Sequence, residues 1–525
     1  MRGWAHDRFN GGGDTVTIRV PTRAPAATAA GGLRYLWFAV SAFALSAFVP
    51  LLLLAQVENV GRSAAWIITL AIAVWTGLRM SAIIAAGRPM LFDFFFLMFC
   101  YVFMGLAPTV QIRSDLISTT TKGIDSGFDV PTAILVVTGI ACYEIGRLVR
   151  HLRERASLGR AHGGAAEATA IRRARDRQLT KVSRVRSFLL IGFGIAFSAY
   201  FISKTGIGSL FASRDQAFAA RSAAWPDPAI RSVMYSLAIY PLLVGIGAIT
   251  QVRKGVRRGL SGWYLVVILA AVLVLLTIIN PISSARYSLG TVLFALAIYA
   301  GAMLTARRVR VTLVAAIAGL IFVFPLADAF RSPTVNLVRA GFFGEYKSNP
   351  DYDAFWQIAN AYSFVLDGLV HVGQQALGSL FFWVPRAVWP DKPLDTSILL
   401  ANYRGYSFTN LSAPLWAEFL VNGGIPLLII GFLLTGYLLR LMDMRLLPAF
   451  GGAGYWAIVG AIFPVYMTIL LRGSLLQATG AVAVALACLL IVRKPQRSSP
   501  VRAPVMPGRR LRDDPLPQPS QSVRD

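Results

Sequence analysis

Charge is scarce in this chain and cysteine nearly absent. Asp, Glu, Lys and Arg make up 14% of 525 residues, against 56% apolar residues, which is too polar-poor for a soluble multidomain protein. The three cysteines, Cys100, Cys142 and Cys488, each lie inside an apolar run, so neither a disulfide framework nor a Cys-based metal site is supported. Lysine numbers seven beside 44 arginines. So general a preference for Arg weakens any single Arg as evidence of guanidinium chemistry. The chain also lacks visible half-to-half repetition and ionisable groups near the middle of its apolar runs, which argues against a proton-coupled transporter built from inverted repeats.

What is present is a series of apolar runs, each long enough to cross a bilayer as a helix. They fall at 34–55, 64–85, 91–110, 131–149, 187–205, 232–251, 260–281, 289–305, 311–330, 425–440, 454–471 and 474–492. The first is too long for a signal-peptide core and has no small-residue cleavage site, so it reads as a retained span. The predicted fold class is all-α: a polytopic membrane helical bundle of about 12 transmembrane helices.

The formal net charge of +26 follows from topology rather than from nucleic-acid binding. With both termini cytoplasmic, every inner connector is basic: Arg79 and Arg88, the loop 150–186, Arg253 to Arg258, Arg307 to Arg310, and Arg440 with Arg445. The cluster Arg150, Arg153, Arg155, Arg172, Arg173, Arg175 and Arg177 reads as a solvated face near anionic lipid headgroups. Residues 1–33 and 493–525, rich in Gly, Ala, Pro, Ser and Arg, read as disordered cytoplasmic tails. Asp93 and Glu144 lie near inner ends, and Glu144 is placed to pair with Arg147 one turn on.

Residues 331–424, between spans 34–330 and 425–492, form the one long polar interruption, and the charge pattern puts it on the outer face. Asn349-Pro350 has the form of a helix cap and first helical residue, with Asp351 and Asp353 where a helix N-terminus favours negative charge. Phe355, Ile358, Ala359, Tyr362, Val365, Leu366 and Leu369 then recur at helical spacing, which predicts an amphipathic helix on the bundle or at the membrane surface. On another stripe of that helix Asp367 and His371 are four residues apart. They form either a general base with its orienting carboxylate or an ordinary surface pair.

Further on, Trp383-Val-Pro-Arg386 and Trp389-Pro-Asp-Lys392-Pro combine rigid prolines with aromatic faces suited to sugar stacking and cations suited to phosphate oxygens. Arg404 adds a cation and Glu418 a carboxylate. Arg286, in the tight turn Asn280 to Ser288, and Arg331 and Arg339 lie on the same side. An anionic diphosphate could be held there by Arg286, Arg331, Arg386, Lys392 and Arg404 without a metal; a structural interfacial loop with Trp anchors is the alternative.

The run Phe381-Phe-Trp-Val-Pro-Arg-Ala-Val-Trp-Pro-Asp-Lys-Pro393, followed by Ser412-Ala-Pro414, Glu418 and Asn422-Gly423-Gly424, resembles the bacterial oligosaccharide repeat-unit polymerases, the Wzy-type O-antigen polymerases, which are related to O-antigen ligases. The resemblance implies a GT-C-like bundle in the bacterial cytoplasmic membrane, with one large extracytoplasmic loop containing helices. It implies metal-independent, cofactor-free glycosyl transfer between oligosaccharides carried on polyprenyl diphosphate, for surface polysaccharide synthesis. Protein partners would be a chain-length regulator or a flippase, and no nucleic acid is implied. By the same resemblance, the Arg of an outer span end falls on Arg286 and the loop cations on Arg386 and Lys392, while a catalytic loop histidine, here His371, belongs rather to the ligases. His371 or Glu418 would deprotonate the attacking hydroxyl. Ligase-type transfer to another acceptor and flipping of a lipid-linked oligosaccharide remain the competing functions. A polyprenyl-phosphate glycosyltransferase with acidic residues in its first outer loop is disfavoured, because Glu58 is the only carboxylate there.

Overall fold

The computed structural model describes residues 26–160, 182–254, 261–324, 343–450 and 454–494. Of the expected disordered tails 1–33 and 493–525, residues 1–25 and 495–525 lie outside the described residues, as do the loop arginines Arg172, Arg173, Arg175 and Arg177 and Arg331 and Arg339, while 26–33 are helical rather than disordered because they continue into the first apolar run. Among them the regular secondary structure is helical, apart from one bridge between Val182 and Arg493.

The first five helices are α1 (Gly31–Gln56), α2 (Ala65–Ala86), α3 (Leu91–Arg113), α4 (Ser126–Ala156) and α5 (Arg184–Thr205). Next come α6 (Arg214–Ala224), α7 (Pro228–Lys254), α8 (Ser261–Ile278), α9 (Arg286–Tyr299) and α10 (Ala306–Ala318). The long polar segment contributes α11 (Ala354–Leu366), α12 (Gln374–Leu380) and α13 (Thr396–Arg404). Then follow α14 (Leu415–Leu446), α15 (Tyr455–Arg472) and α16 (Leu475–Val492).

Among the described residues ten of these helices are long and apolar enough to cross a membrane, and the protein is a multi-pass membrane protein. Two expected spans, 289–305 and 311–330, are not among these ten. The first is α9, whose 14 residues cover about 21 Å, short of a hydrocarbon core of roughly 30 Å. The second starts on the charged turn Ala306-Arg-Arg-Val-Arg310 and is described only as far as Phe324.

Every residue of α3 is buried, as expected for a helix that is apolar all round. Its middle, Cys100–Leu106, is a wider π-helical stretch just before Pro108, and Phe43–Phe48 stands in the same relation to Pro50. A wider turn relieves the clash between the proline ring and the carbonyl four residues back. Helices α4 and α14 pack closely because glycines meet backbone: a Cβ on Gly146 would lie 1.9 Å from the Leu433 carbonyl oxygen, and one on Gly436 1.9 Å from that of Tyr143.

Polar contacts concentrate at two ends of the bundle. At one, the expected Glu144–Arg147 pair forms at 2.8 Å, and Arg79 joins it at 2.8 Å while also reaching Asp93 at 3.3 Å. Asp443, read from the sequence as part of a connector, is buried there because α14 continues to Leu446. Its carboxylate accepts the N–H groups of Phe92 (2.9 Å) and Asp93 (3.0 Å), donors that the first turn of α3 cannot satisfy itself. At the opposite end Arg62 bonds Asp129 (3.0 Å) and Asp115 (3.2 Å), and the long polar segment folds over the same end.

That segment differs from expectation. Asn349 caps as predicted, its side chain accepting Asp351 N–H at 2.9 Å, but Pro350 opens only a short 3-10 turn before α11 begins at Ala354. Residues 354–361 of α11 are all buried, so the helix is part of the bundle and not a surface helix. Its polar stripe faces protein: Trp356 Nε1 donates to Gln111 Oε1 (2.8 Å), and Gln111 Nε2 donates to the carbonyls of Tyr346 and Tyr352. An amphipathic pattern looks the same whether its polar side meets water or a buried hydrogen-bond network.

Candidate functional site

The site is built on a break in α14. Gly423 and Gly424 leave the helical conformation, Gly424 with φ +63° and ψ −158°, a region open essentially to glycine alone. Two residues later Pro426 has no N–H to offer the Asn422 carbonyl. The two freed carbonyls are taken by the loop after α11: Val421 O accepts His371 N–H and Asn422 O accepts Gly373 N–H, both at 2.9 Å. The Asn422 side chain completes the joint. Its Oδ1 accepts Ala376 N–H in the first turn of α12 (3.0 Å), and its Nδ2 donates to the Glu418 carbonyl (2.8 Å). The Asn-Gly-Gly run therefore docks residues 371–376 against the bundle.

His371 is half-buried, its ring 5.5 Å from that of Phe364, and its imidazole makes no hydrogen bond or ion pair among the described residues. The expected link to Asp367 is absent. Helix α11 ends at Leu366 and Gly368 turns with φ +73°, so the four-residue spacing is not helical. Asp367 accepts a hydrogen bond from Tyr403 Oη instead. Tyr403 also bonds Ser363 at 2.8 Å and packs edge-on to Phe364. Burial, with the Asp367 carboxylate beside it, raises the Tyr403 phenol above its ordinary pKa, so it stays protonated. Next to it Arg404 donates Nε to Asn360 Oδ1 (2.8 Å), and its Nη2 is buried without an acceptor among the described residues. His371 and Tyr403 thus meet at Phe364, with Asp367 tied to Tyr403 and the Arg404 guanidinium 5.4 Å from the Tyr403 ring.

The other expected residues are placed differently. Glu418 is buried, one oxygen accepting from Thr396 Oγ1 and the other from Leu475 N–H at the start of α16, both at 2.9 Å. It holds helix ends together and meets no open space as a base would. Lys392 is buried and donates Nζ to the carbonyls of Phe382 (2.6 Å) and Val384 (3.0 Å), while Arg386 donates to those of Lys392 (2.7 Å) and Pro393 (3.3 Å). Burial and the neighbouring Arg386 lower the Lys392 pKa. These two cations brace their own loop. Trp383 is exposed and Trp389 half-buried.

Arg286 is buried at the start of α9, with Nη2 3.3 Å from Asp351 and Nη1 donating to the Phe324 carbonyl at 2.8 Å. Asp351 also meets Arg472 at 3.2 Å. Arg472 lies 3.8 Å from Asp353, which accepts from the Ser412 N–H and hydroxyl. Burial raises the Asp353 pKa, and Arg472 and Ser412 partly offset the rise. Sequence reasoning missed Arg472; the only signal was an Arg-Gly turn between two apolar runs. Among the described residues no group of three or more His, Cys, Asp and Glu side chains is arranged to hold a metal ion. No family model matches the sequence, and no curated protein or solved structure matches it significantly.

Proposed function

We propose that the protein polymerises oligosaccharide repeat units carried on polyprenyl diphosphate, at the outer face of the bacterial cytoplasmic membrane, by metal-independent glycosyl transfer. The observation that carries this reading is His371, pinned by its backbone at the helix break, with an imidazole that has no hydrogen bond or ion pair among the described residues. Across Phe364 from it stands Tyr403, bonded to Asp367, and beside Tyr403 is Arg404, with a buried donor that has no acceptor among the described residues. A hydroxyl of one repeat unit attacks the anomeric carbon of the next, and the bond from that carbon to the diphosphate oxygen breaks. His371 takes the hydroxyl proton, and Arg404 faces the negative charge left on the diphosphate.

The same histidine also favours a second reading, ligase-type transfer of the glycan to a different lipid acceptor. Purified protein in liposomes, given a lipid-linked repeat unit, separates the two. A ladder of lengthening glycans with release of polyprenyl diphosphate is expected. Transfer only to an added second acceptor means a ligase, and no diphosphate release in either assay sinks both.

A further inference from the structure

Residues 374–393 are built inside out for a water-exposed loop. Helix α12 turns Gln375, Gly378 and Ser379 inward and leaves Leu377, Leu380 and Phe381 exposed. Leu380 is 59% exposed, Trp383 60% and Val388 76%, values matching lipid-facing residues of the spans such as Leu273 at 69% and Leu490 at 62%. A loop in water would invert this pattern.

The path of the segment explains it. It leaves the break of α14 at the Gly373–Asn422 bond and runs down the flank of α16, so that the Phe382 ring lies beside Gly480. It then returns to Thr396, which reaches the end of α16 through Glu418 and Leu475 N–H. Gly480 is five residues inside α16, about 7 to 8 Å along its axis, and the apolar face of an interfacial helix sinks roughly 5–10 Å into the boundary between headgroups and acyl chains.

An irregular turn at that depth must satisfy its carbonyls without water. The carbonyls of Phe382 and Val384 take Lys392, and those of Lys392 and Pro393 take Arg386. The only other charge in the segment is Asp391; it and Arg386 are exposed, and Lys392 is buried, so the long Arg386 side chain has access to the headgroup level.

We infer that residues 374–393 are a re-entrant interfacial hairpin seated in the acyl chains of the leaflet at this end of the bundle, with Lys392 and Arg386 as its internal hydrogen-bond donors. Trp383 then meets lipid. The inference is independent of the reaction proposed above.

Nitroxide labels test it. The native cysteines are buried, so labels can be placed singly on Leu380→Cys, Trp383→Cys and Val388→Cys in proteoliposomes. Leu273→Cys on α8 serves as lipid control and Asn402→Cys as aqueous control. Power saturation should show the three hairpin labels accessible to oxygen and shielded from a water-soluble nickel chelate, as at Leu273. Nickel access like that at Asn402 overturns the inference, and so does shielding from both relaxants, which would mean that protein covers the face. As a label-free check, brominated lipids should quench less of the total emission in Trp383→Phe than in the unmodified protein; an unchanged quenched fraction is the contrary result.

Discussion

The backbone N–H of Gly373 donates to the carbonyl of Asn422 across 2.9 Å, joining the segment that carries His371 to a break in a membrane-spanning helix. The bond exists because Pro426 cannot supply the donor a continuous helix would have used. The Asn-Gly-Gly run and the proline after it are one device.

Two substitutions probe that joint. Asn422→Ala removes the acceptor for Ala376 N–H and should destabilise the protein by about 1 kcal/mol, the usual cost of a lost helix cap. Gly424→Ala forces a side chain into a glycine-only conformation, at about 1–3 kcal/mol. Both should lower the thermal midpoint in detergent, and so should Asn422→Asp, which keeps the acceptor for Ala376 N–H but turns a carboxylate oxygen towards the buried Glu418 carbonyl that Nδ2 now serves.

Arg472 holds Asp351 and Asp353 together. Arg472→Ala leaves the buried Asp353 short of a cation while Asp351 keeps Arg286, a loss of about 3 kcal/mol. The variant should show reduced yield of folded protein, measured by size-exclusion chromatography. Asp351→Asn, which leaves no unpaired negative charge, should be milder.

Asp395 supplies a pH test. Its side chain caps α13 by accepting Ser397 N–H at 2.9 Å, and burial raises its pKa despite that bond. A carboxyl whose folded pKa is raised contributes most below its unfolded value, near 3.8, and that contribution is lost as pH rises through the folded value. Asparagine caps a helix equally well and does not ionise. The unfolding free energy of Asp395→Asn should therefore gain on that of the unmodified protein as pH rises from about 3.8 towards neutrality, by about 1.4 kcal/mol for each pKa unit of elevation. A constant difference across that range would contradict the assignment.

His371 and Asp367 should behave differently, since no contact joins them. His371→Ala should reduce polymer formation by about 10²-fold or more, the range for loss of a general base. Asp367→Asn should leave the pH dependence of the rate unchanged and act, if at all, through the placement of Tyr403. A matching loss in both variants, measured as polyprenyl diphosphate released per unit time, would restore the dyad expected from their spacing.

Much of the fold was legible because the bilayer imposes a coarse rule on sequence. A span needs a long apolar run, and the runs at 91–110, 131–149 and 474–492 became α3, α4 and α16. The Asn349 cap and the Glu144–Arg147 pair were also readable, since both act within four residues. The site was less legible. Lys392, Arg386 and Glu418 had the residue types that diphosphate binding or catalysis needs, yet each is spent on hydrogen bonds within its own fold. A sequence shows which groups can donate or accept, but not whether a neighbour has already claimed them.

The amino-acid sequence alone determined that this is a helical membrane protein with one long polar segment between its apolar runs, because hydrophobic length and local capping are properties of neighbouring residues. Only the tertiary structure decided that the amphipathic run is the buried helix α11, that Asp367 turns to Tyr403, and that His371 sits on the break at Gly423 and Gly424. Those outcomes depend on contacts between residues tens to hundreds of positions apart, where a carbonyl freed in one helix meets an N–H left over in another.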